Sequence, residues 1–290
     1  MSHHIDPQDP SLDRAAEAID AADTLMIGAG AGMSVDSGLP DFRGDEGFWT
    51  HYPPFEQRGL DFYDLANPRW FDRDPELAWG FYGHRLNLYR STDPHKGFDI
   101  LRDVAAALPE PPFVFTSNVD GHFQKAEFNS QRVLECHGSI HHLQCSRPCG
   151  HQIWSADTLD IEVDPESFRA RGDLPRCPHC EAIARPNILM FRDGQWNDGR
   201  SAEQQQRFHR WQSRVRNDGL DPVVIEVGAG TAVPTVRMQC ERISRTLKGT
   251  LIRINPREPE APDGAISIPA GGLEVLRRIG ERLDTIRVET

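Results

Sequence analysis

Six cysteines stand in this chain of 290 residues, and four of them are closely paired: Cys145 and Cys149 in CSRPC, Cys177 and Cys180 in CPHC, with 27 residues between the pairs. Such spacing suits a metal ion. Each short loop, turned by Pro148, Gly150 and Pro178, returns two sulfurs to one point, and four thiolates close a tetrahedral shell around zinc. A closed shell has no position for water, so this zinc holds structure and does no chemistry. His141, His142, His151 and His179 lie near enough in sequence to replace one of the sulfurs. The alternative, four buried free thiols, is at odds with the proline-rich polar surroundings; Cys136 and Cys240 stand alone and are expected in the core. A second chemical group is the glycine-rich GAGAG at 28–32, which follows an apolar run. Backbone N–H groups in such a turn can approach a pyrophosphate at a helix N-terminus, although a tight strand-to-helix turn needs glycine for its own sake. His137 is a third candidate, because imidazole takes up a proton near neutral pH. A lone histidine at a strand end is equally at home in a structural role. Tyr82 and Arg85 are spaced i, i+3, which on a helix puts phenol and guanidinium on one face and into one pocket. Their duller reading is an exposed helix whose arginine pairs with an acid such as Glu76.

The elements that must carry these residues are legible as a pattern. Short β-rich apolar runs closed by glycine or a turn recur at Leu25–Gly28, Phe113–Ser117, Val133–Cys136, Val223–Gly228 and Thr250–Asn255, as buried parallel strands do. Between them lie helical patterns at Leu12–Ala21, with Ser11 as N-cap, and at Glu76–Tyr89, His95–Leu108, Ala202–Arg214, Thr235–Leu247 and Gly272–Ile286. This alternation predicts an α/β fold with a Rossmann-like, doubly wound parallel sheet. Residues 12–43, 94–139 and 184–290 would form that domain. Two stretches break the alternation: an aromatic-rich, mostly helical insertion at 44–93 and the zinc-binding segment at 140–183. Together they predict a smaller domain, a helical insertion plus a zinc ribbon, with a cleft against the sheet; residues 1–11 are a tail.

Composition removes several classes of function. Hydrophobic residues make up 38% and charged residues 26%, the balance of a globular chain with a sizeable core. No apolar run approaches the roughly 18 residues that span a bilayer, so no membrane partner is expected. The opening MSHHIDPQDPSLDR lacks the basic stretch and apolar core of a secretory signal, which makes the cytoplasm the expected compartment. Lys and Arg number 32 against 44 Asp and Glu, a net charge of −12, which argues against nucleic acid as partner. Oligomeric state leaves no signature.

The stretch GAGMSVDSGLPDFRG, residues 30–44, resembles the signature of the sirtuins, NAD-dependent protein lysine deacylases: GAG, any residue, S, two residues, SGIPxFR. Further blocks follow in the family's order. TSNVDGHFQKAEF at 116–128 is similar to TQNIDxLxxxAG, ECHGSI at 135–140 to the HGS block, ARPNILMFRDG at 184–194 to RPxVVxFGE, and IRINP at 252–256 to the late xxINxx strand. The resemblance implies that Gly30, Ala31, Gly32 and Ser34 wrap the NAD diphosphate, Arg43 reaches a phosphate, and Phe42 shields the reactive ribose carbon. It implies that Asn118 and Asp120 hold the nicotinamide carboxamide, Ser117 lies at the nicotinamide ribose, Gly228 lines the cofactor site and Asn255 holds the adenosine ribose. His137 would be the base for a ribose hydroxyl, with acyl-lysine proteins or peptides as partners and nicotinamide and O-acyl-ADP-ribose as products. NAD and a structural zinc are the implied cofactors. Sirtuins that favour malonyl or succinyl lysine carry a Tyr-x-x-Arg pair in the segment of Tyr82 and Arg85, where the arginine fork binds the distal carboxylate.

Departures from the family pattern set the alternatives. Ser117 stands where Gln is usual, Ala29 where Thr is usual, FRD at 191–193 replaces FGE, and GAGTAVPTVR at 228–237 matches GTSLxVxP imperfectly. Arg192 thereby falls on the strand expected to pair with the substrate backbone. A sirtuin-like ADP-ribosyltransferase or NAD glycohydrolase is the alternative if that groove is degraded. A non-catalytic NAD sensor has no use for His137 beside Asn118 and Asp120, and a zinc-finger binder of nucleic acid fits the charge poorly.

Overall fold

The computed structural model describes residues 4–40, 48, 51–56, 58–147, 149–150 and 152–289. Its strands are β1 (Thr24–Ala29), β2 (Phe113–Thr116), β3 (Val133–Glu135), β4 (Gly138–Cys145), β5 (Trp154–Ser155), β6 (Glu162–Val163), β7 (Ala170–Arg171), β8 (Ala184–Ile188), β9 (Pro222–Val227), β10 (Thr250–Ile254) and β11 (Ile266–Ile268). The longer helices are α1 (Pro10–Asp20), α2 (Pro75–Ser91), α3 (Lys96–Ala106), α4 (Gly199–Asn217), α5 (Thr235–Leu247) and α6 (Gly272–Glu289). None is long and apolar enough to cross a membrane among the described residues.

Strands β1, β2 and β9 are buried at every position, which is why they read as unbroken apolar runs instead of alternating ones. They lie at the centre of a six-stranded sheet in the order β11-β10-β9-β1-β2-β3, parallel at every pairing. Helices α1, α3 and α6 cover one face through Leu12, Ile19, Phe98, Leu101, Leu276 and Ile279. On the other face, α4 and α5 close a second core around Phe208, Trp211, Cys240 and Ile243. Helix α1 begins earlier than expected. Pro10 opens it and Asp9, not Ser11, is the N-cap, its carboxylate accepting the Ser11 N–H at 2.8 Å.

Strand order reverses at β1, so the crevice past the C-terminal ends of β1 and β9 is the switch point where a doubly wound sheet binds ligands. Glycines close it. The Gly30 N–H donates to Val227 O at 3.0 Å and the Gly32 N–H to Gly228 O at 3.1 Å. A Cβ on Gly30 would sit 2.5 Å from Gly228 O, and Gly228 itself has φ of +62°. No larger residue fits at Gly30 without separating the two strand ends.

The smaller module holds a three-stranded antiparallel sheet, β5-β4-β8, the β6-β7 pair, α2 and the short helices Pro53–Glu56, Phe62–Leu65 and Arg69–Arg73. Its core is aromatic, with Tyr52, Phe55, Phe71, Trp79, Phe81 and Tyr82 in contact. Helix α2 carries two glycines because other chain segments lie against them: a Cβ on Gly80 would be 2.0 Å from Phe168 O, and one on Gly83 would be 2.4 Å from Ile161 Cγ2. One sequence boundary moves. Residues 184–188, expected with the parallel sheet, form β8 and pair with β4 in the small sheet. The physical reason is that Arg185 and Asn187 are buried polar residues that find partners in that module.

Candidate active site

Two cavities open at the C-terminal edge of the parallel sheet and share Ala31 as a common wall. The lower, about 420 Å³, lies over the switch point between Gly32, Gly228, Gly230, Asn255 and Gly272. Asn255 shapes its rim. The amide Nδ2 donates to Ala229 O at 3.0 Å, while Oδ1 accepts the N–H groups of Arg257 and Glu258, each at 3.0 Å.

The upper cavity, about 500 Å³, gathers Ser34, Tyr82, Arg85, Ser117, Asn118, Asp120 and His137, although they are scattered over more than 100 positions of the chain. Strand β2 positions three of them. The Thr116 hydroxyl donates to Ala29 O at 2.9 Å and accepts the Asn118 N–H at 3.0 Å, so the turn after β2 is tied to the end of β1. Asn118 Nδ2 then donates to Gly30 O at 3.0 Å. Asp120 is held at both oxygens: Oδ2 accepts the Ser34 hydroxyl at 2.7 Å and Oδ1 the His122 N–H at 3.0 Å. This links the glycine loop directly to the turn after β2. His137 is half-buried in the step from β3 to β4. Its carbonyl accepts the Leu189 N–H at 2.9 Å. Gly138, with φ of +78°, lets the chain pass there: a Cβ would be 2.0 Å from Asn187 O. Phe42 and Arg43 lie outside the described residues.

Tyr82 and Arg85 share one face of α2 and both line the upper cavity. The expected alternative, an Arg85–Glu76 pair, does not form, because Glu76 bonds Arg169 at 2.8 Å. Instead the Arg85 guanidinium sits among rings, 5.3 Å from the centroid of Phe81, 5.4 Å from Tyr89, 5.6 Å from Tyr82 and 5.8 Å from Phe62. The Tyr89 hydroxyl accepts from Arg85 Nε at 3.0 Å and from Nη2 at 2.8 Å. Burial pushes the Tyr82 phenol up to about 12, and its buried hydroxyl has no partner among the described residues. Tyr89 escaped sequence reasoning. Its spacing of four from Arg85 was the available signal.

The 190–193 turn closes the cavity wall. Asp193 takes a bidentate pair of bonds from Arg185 at 2.7 and 2.9 Å, both side chains being almost fully enclosed. Arg192 adopts φ of +59°. That conformation costs a side-chain-bearing residue about 1–2 kcal/mol and glycine almost nothing, so Arg192 in FRD carries a strain that the glycine of FGE would avoid. Arg192 also lines the cavity. Phe191 leaves the small sheet to bond Ala66 O through its N–H at 2.9 Å, and its ring lies 4.7 Å from that of Tyr63.

The four cysteines meet as expected. All four sulfurs lie within 4.8 Å of one another, with Cys145 and Cys180 at 3.6 Å and Cys149 and Cys177 at 3.4 Å. A tetrahedron with arms of 2.3 Å has edges of about 3.8 Å, so the cluster fits zinc. No histidine is needed to complete the set. His141 is engaged elsewhere, its Nε2 lying 2.8 Å from Asp120 O.

Burial lowers the pKa of His84, His95, His122 and His142, the last to about 4. For His142 the unfolded chain binds a proton below about 6.5 and the folded chain does not until about 4, so stability is complete above that window and falls through it on acidification. Melting temperatures between pH 7.5 and 5 should therefore decline, and His142→Gln should flatten part of the decline; an unchanged slope would refute the role of His142.

Residues 30–207 match the sequence model described as "Sir2 family". Among curated relatives, an NAD-dependent protein deacylase of Aeropyrum pernix is 32% identical over 242 residues, covering 82% of this chain and 83% of the relative. An NAD-dependent protein deacetylase of Haloarcula marismortui is 31% identical over 290 residues, covering 97% and 98%. The fold is also that of a solved Sir2 homolog–NAD complex, with a TM-score of 0.68 at 23% identity over 98% of this chain and 96% of that one. With the glycine crevice, the Asn118–Asp120 turn and His137 in one double cavity, and a family match over residues 30–207, the chain belongs to the Sir2 family.

Proposed function

We propose that this chain is an NAD-dependent protein lysine deacylase that favours acyl groups ending in a carboxylate. The observation that carries the reading is the pair of cavities joined at Ala31, one over the strand switch point and one around His137. When bound, NAD would supply the ribose carbon that the amide oxygen of acyl-lysine attacks as nicotinamide departs. Gly30, Ala31, Gly32 and Gly228 would let the backbone approach its diphosphate, with Ser34 beside them, and the family resemblance gives Arg43 a phosphate and Phe42 the reactive carbon as their partners. Asn255 stands at the adenosine ribose, Ser117 at the nicotinamide ribose, and Asn118 and Asp120 orient the carboxamide. His137 takes the proton from a ribose hydroxyl. Cys145, Cys149, Cys177 and Cys180 hold zinc.

Acidic-acyl preference is supported by Arg85, a cation enclosed by rings inside the cavity, with the buried Tyr82 hydroxyl beside it. A carboxylate arriving there meets a guanidinium held against aromatic rings, a charge-assisted donor for its oxygens. The test is incubation with NAD and peptides bearing acetyl-, malonyl-, succinyl- or long-chain acyl-lysine, following peptide mass and released nicotinamide. Succinyl and malonyl peptides should react at least about tenfold faster than acetyl, and Arg85→Met should erase that advantage while sparing acetyl removal. Loss of acetyl and succinyl removal in equal measure would sink the pocket assignment. Arg192 at the cavity wall keeps a second reading in view, ADP-ribosyl transfer or NAD hydrolysis. Nicotinamide release with every peptide unchanged would favour it.

A further inference from the structure

At the opposite end of β2 from the Asn118–Asp120 turn, Phe113, Arg132, Arg207, Arg210, Trp211 and Arg214 wall a groove of about 300 Å³. Arg207, Arg210 and Arg214 recur at i, i+3 and i+7 on α4, so one helix face carries all three. Arg132 joins them from the turn before β3. Among the described residues, no carboxylate lines the groove. Glu110 bonds Arg214 at 2.9 Å and Arg132 at 3.4 Å, and Asp218 lies 3.6 Å from Arg214. Arg207 and Arg210 have no ion pair among the described residues, so two cationic charges stand uncompensated on a chain of net charge −12. A solvated arginine stripe needs no ligand by itself. The second observation lies beneath it. Trp211 is only 3% exposed, and among the described residues neither its indole N–H nor the enclosed Arg207 Nε has an acceptor. Buried donors left unsatisfied cost about 1–3 kcal/mol each, and here two occur in residues that line one basic groove.

We propose that this groove is a binding site for a small free phosphate compound, a multiply charged oxyanion neutralised by Arg207, Arg210, Arg132 and Arg214, with the enclosed Trp211 indole beneath it. A tetrahedral oxyanion offers acceptors in several directions at once, which suits donors arriving from a helix on one side and a turn on the other. The site is separate from the cavities of the proposed reaction, because Phe113 begins β2 whereas Ser117–Asp120 follow its end.

Inorganic diphosphate is the probe, titrated calorimetrically into the full chain at low salt. The wild type should show a binding event that the Arg207→Gln/Arg210→Gln protein loses or shows at least about tenfold weaker, with unchanged melting temperature. Diphosphate entering the crevice between Gly30 and Gly228 would persist in that variant and so be counted apart. The event should also change tryptophan fluorescence, and Trp211→Phe should remove that change. If the double variant does not fold, Arg210→Gln alone, at an exposed position, should weaken the event about fivefold. Identical isotherms for wild type and Arg210→Gln, or displacement of diphosphate by chloride at equal ionic strength, would overturn the proposal.

Discussion

His137→Ala should lose about a hundred- to ten-thousandfold in acyl removal while its melting temperature and its affinity for NAD stay near those of the wild type. The substitution removes an imidazole that faces the upper cavity beside Ser117, Asn118 and Asp120. It leaves the backbone contacts of the segment untouched. Backbone position there comes from the His137 carbonyl, which accepts the Leu189 N–H, and from Gly138, whose missing Cβ makes room for Asn187 O. Neither depends on the side chain. Asn118→Ala makes an instructive contrast, because Asn118 Nδ2 donates to Gly30 O at 3.0 Å and so supports the glycine loop as well as facing the cavity. That variant should raise the KM for NAD, whereas His137→Ala should lower kcat with KM little changed. Single-turnover assays following peptide mass separate the two. A His137→Ala rate within about threefold of the wild type would remove the residue from the chemistry.

The contrast also marks what the sequence could and could not disclose. Strands β1 and β9 were legible because burial on both faces leaves unbroken apolar runs. Strand β8 was misplaced because ARPNI carries two polar residues, and only the fold reveals that Asp193 accepts from Arg185 and that Gln144 and Asn197 accept from Asn187 Nδ2. Strand β11 has three residues, too few for any period to register. At the site, residue types and their order along the chain are readable from motifs, so Ser34, Asn118, Asp120 and His137 stand out in the sequence alone. Their contacts were not readable. The Ser34–Asp120 bond joins positions 86 apart, and no local rule connects them. Arg85 shows the limit most plainly: spacing placed it on the face of Tyr82, but its surroundings are built from Phe62, Phe81 and Tyr89, which in the sequence are only part of an aromatic-rich insertion.

Cys177→Ser, or removal of zinc by a chelator, should abolish acyl removal while leaving NAD affinity within a few-fold of the wild type. The reason lies in how the metal site is wired to the cavity. Strand β4 ends at Cys145, paired with Ala184, and begins at Gly138, paired with Ile188. The cysteine cluster therefore clamps one end of this ladder, and the step carrying His137 and the 189–193 wall hangs from the other, about 23 Å away at 3.3 Å per residue. Without the metal, the pairing of β4 with β8 frays from the Cys145 end, helped by the register shift between Ser139 and Leu143. A structural zinc contributes on the order of 10 kcal/mol to the unit that it closes, more than the small module's own core can readily replace. The crevice of Gly30, Gly32, Gly228 and Asn255 depends on the parallel sheet and its two separate cores, which the zinc does not touch. Melting should accordingly split, with a new low-temperature transition for the small module and the sheet domain melting near its original temperature. Metal analysis should find about one zinc per wild-type chain and almost none in the variant. Cys136→Ala is the control: burial pushes the Cys136 thiol up to about 12, it lies outside the cluster, and its replacement should leave zinc content unchanged. A Cys177→Ser protein that keeps its zinc, melts in one step and removes acyl groups at the wild-type rate would show that the clamp is not what holds His137 in place.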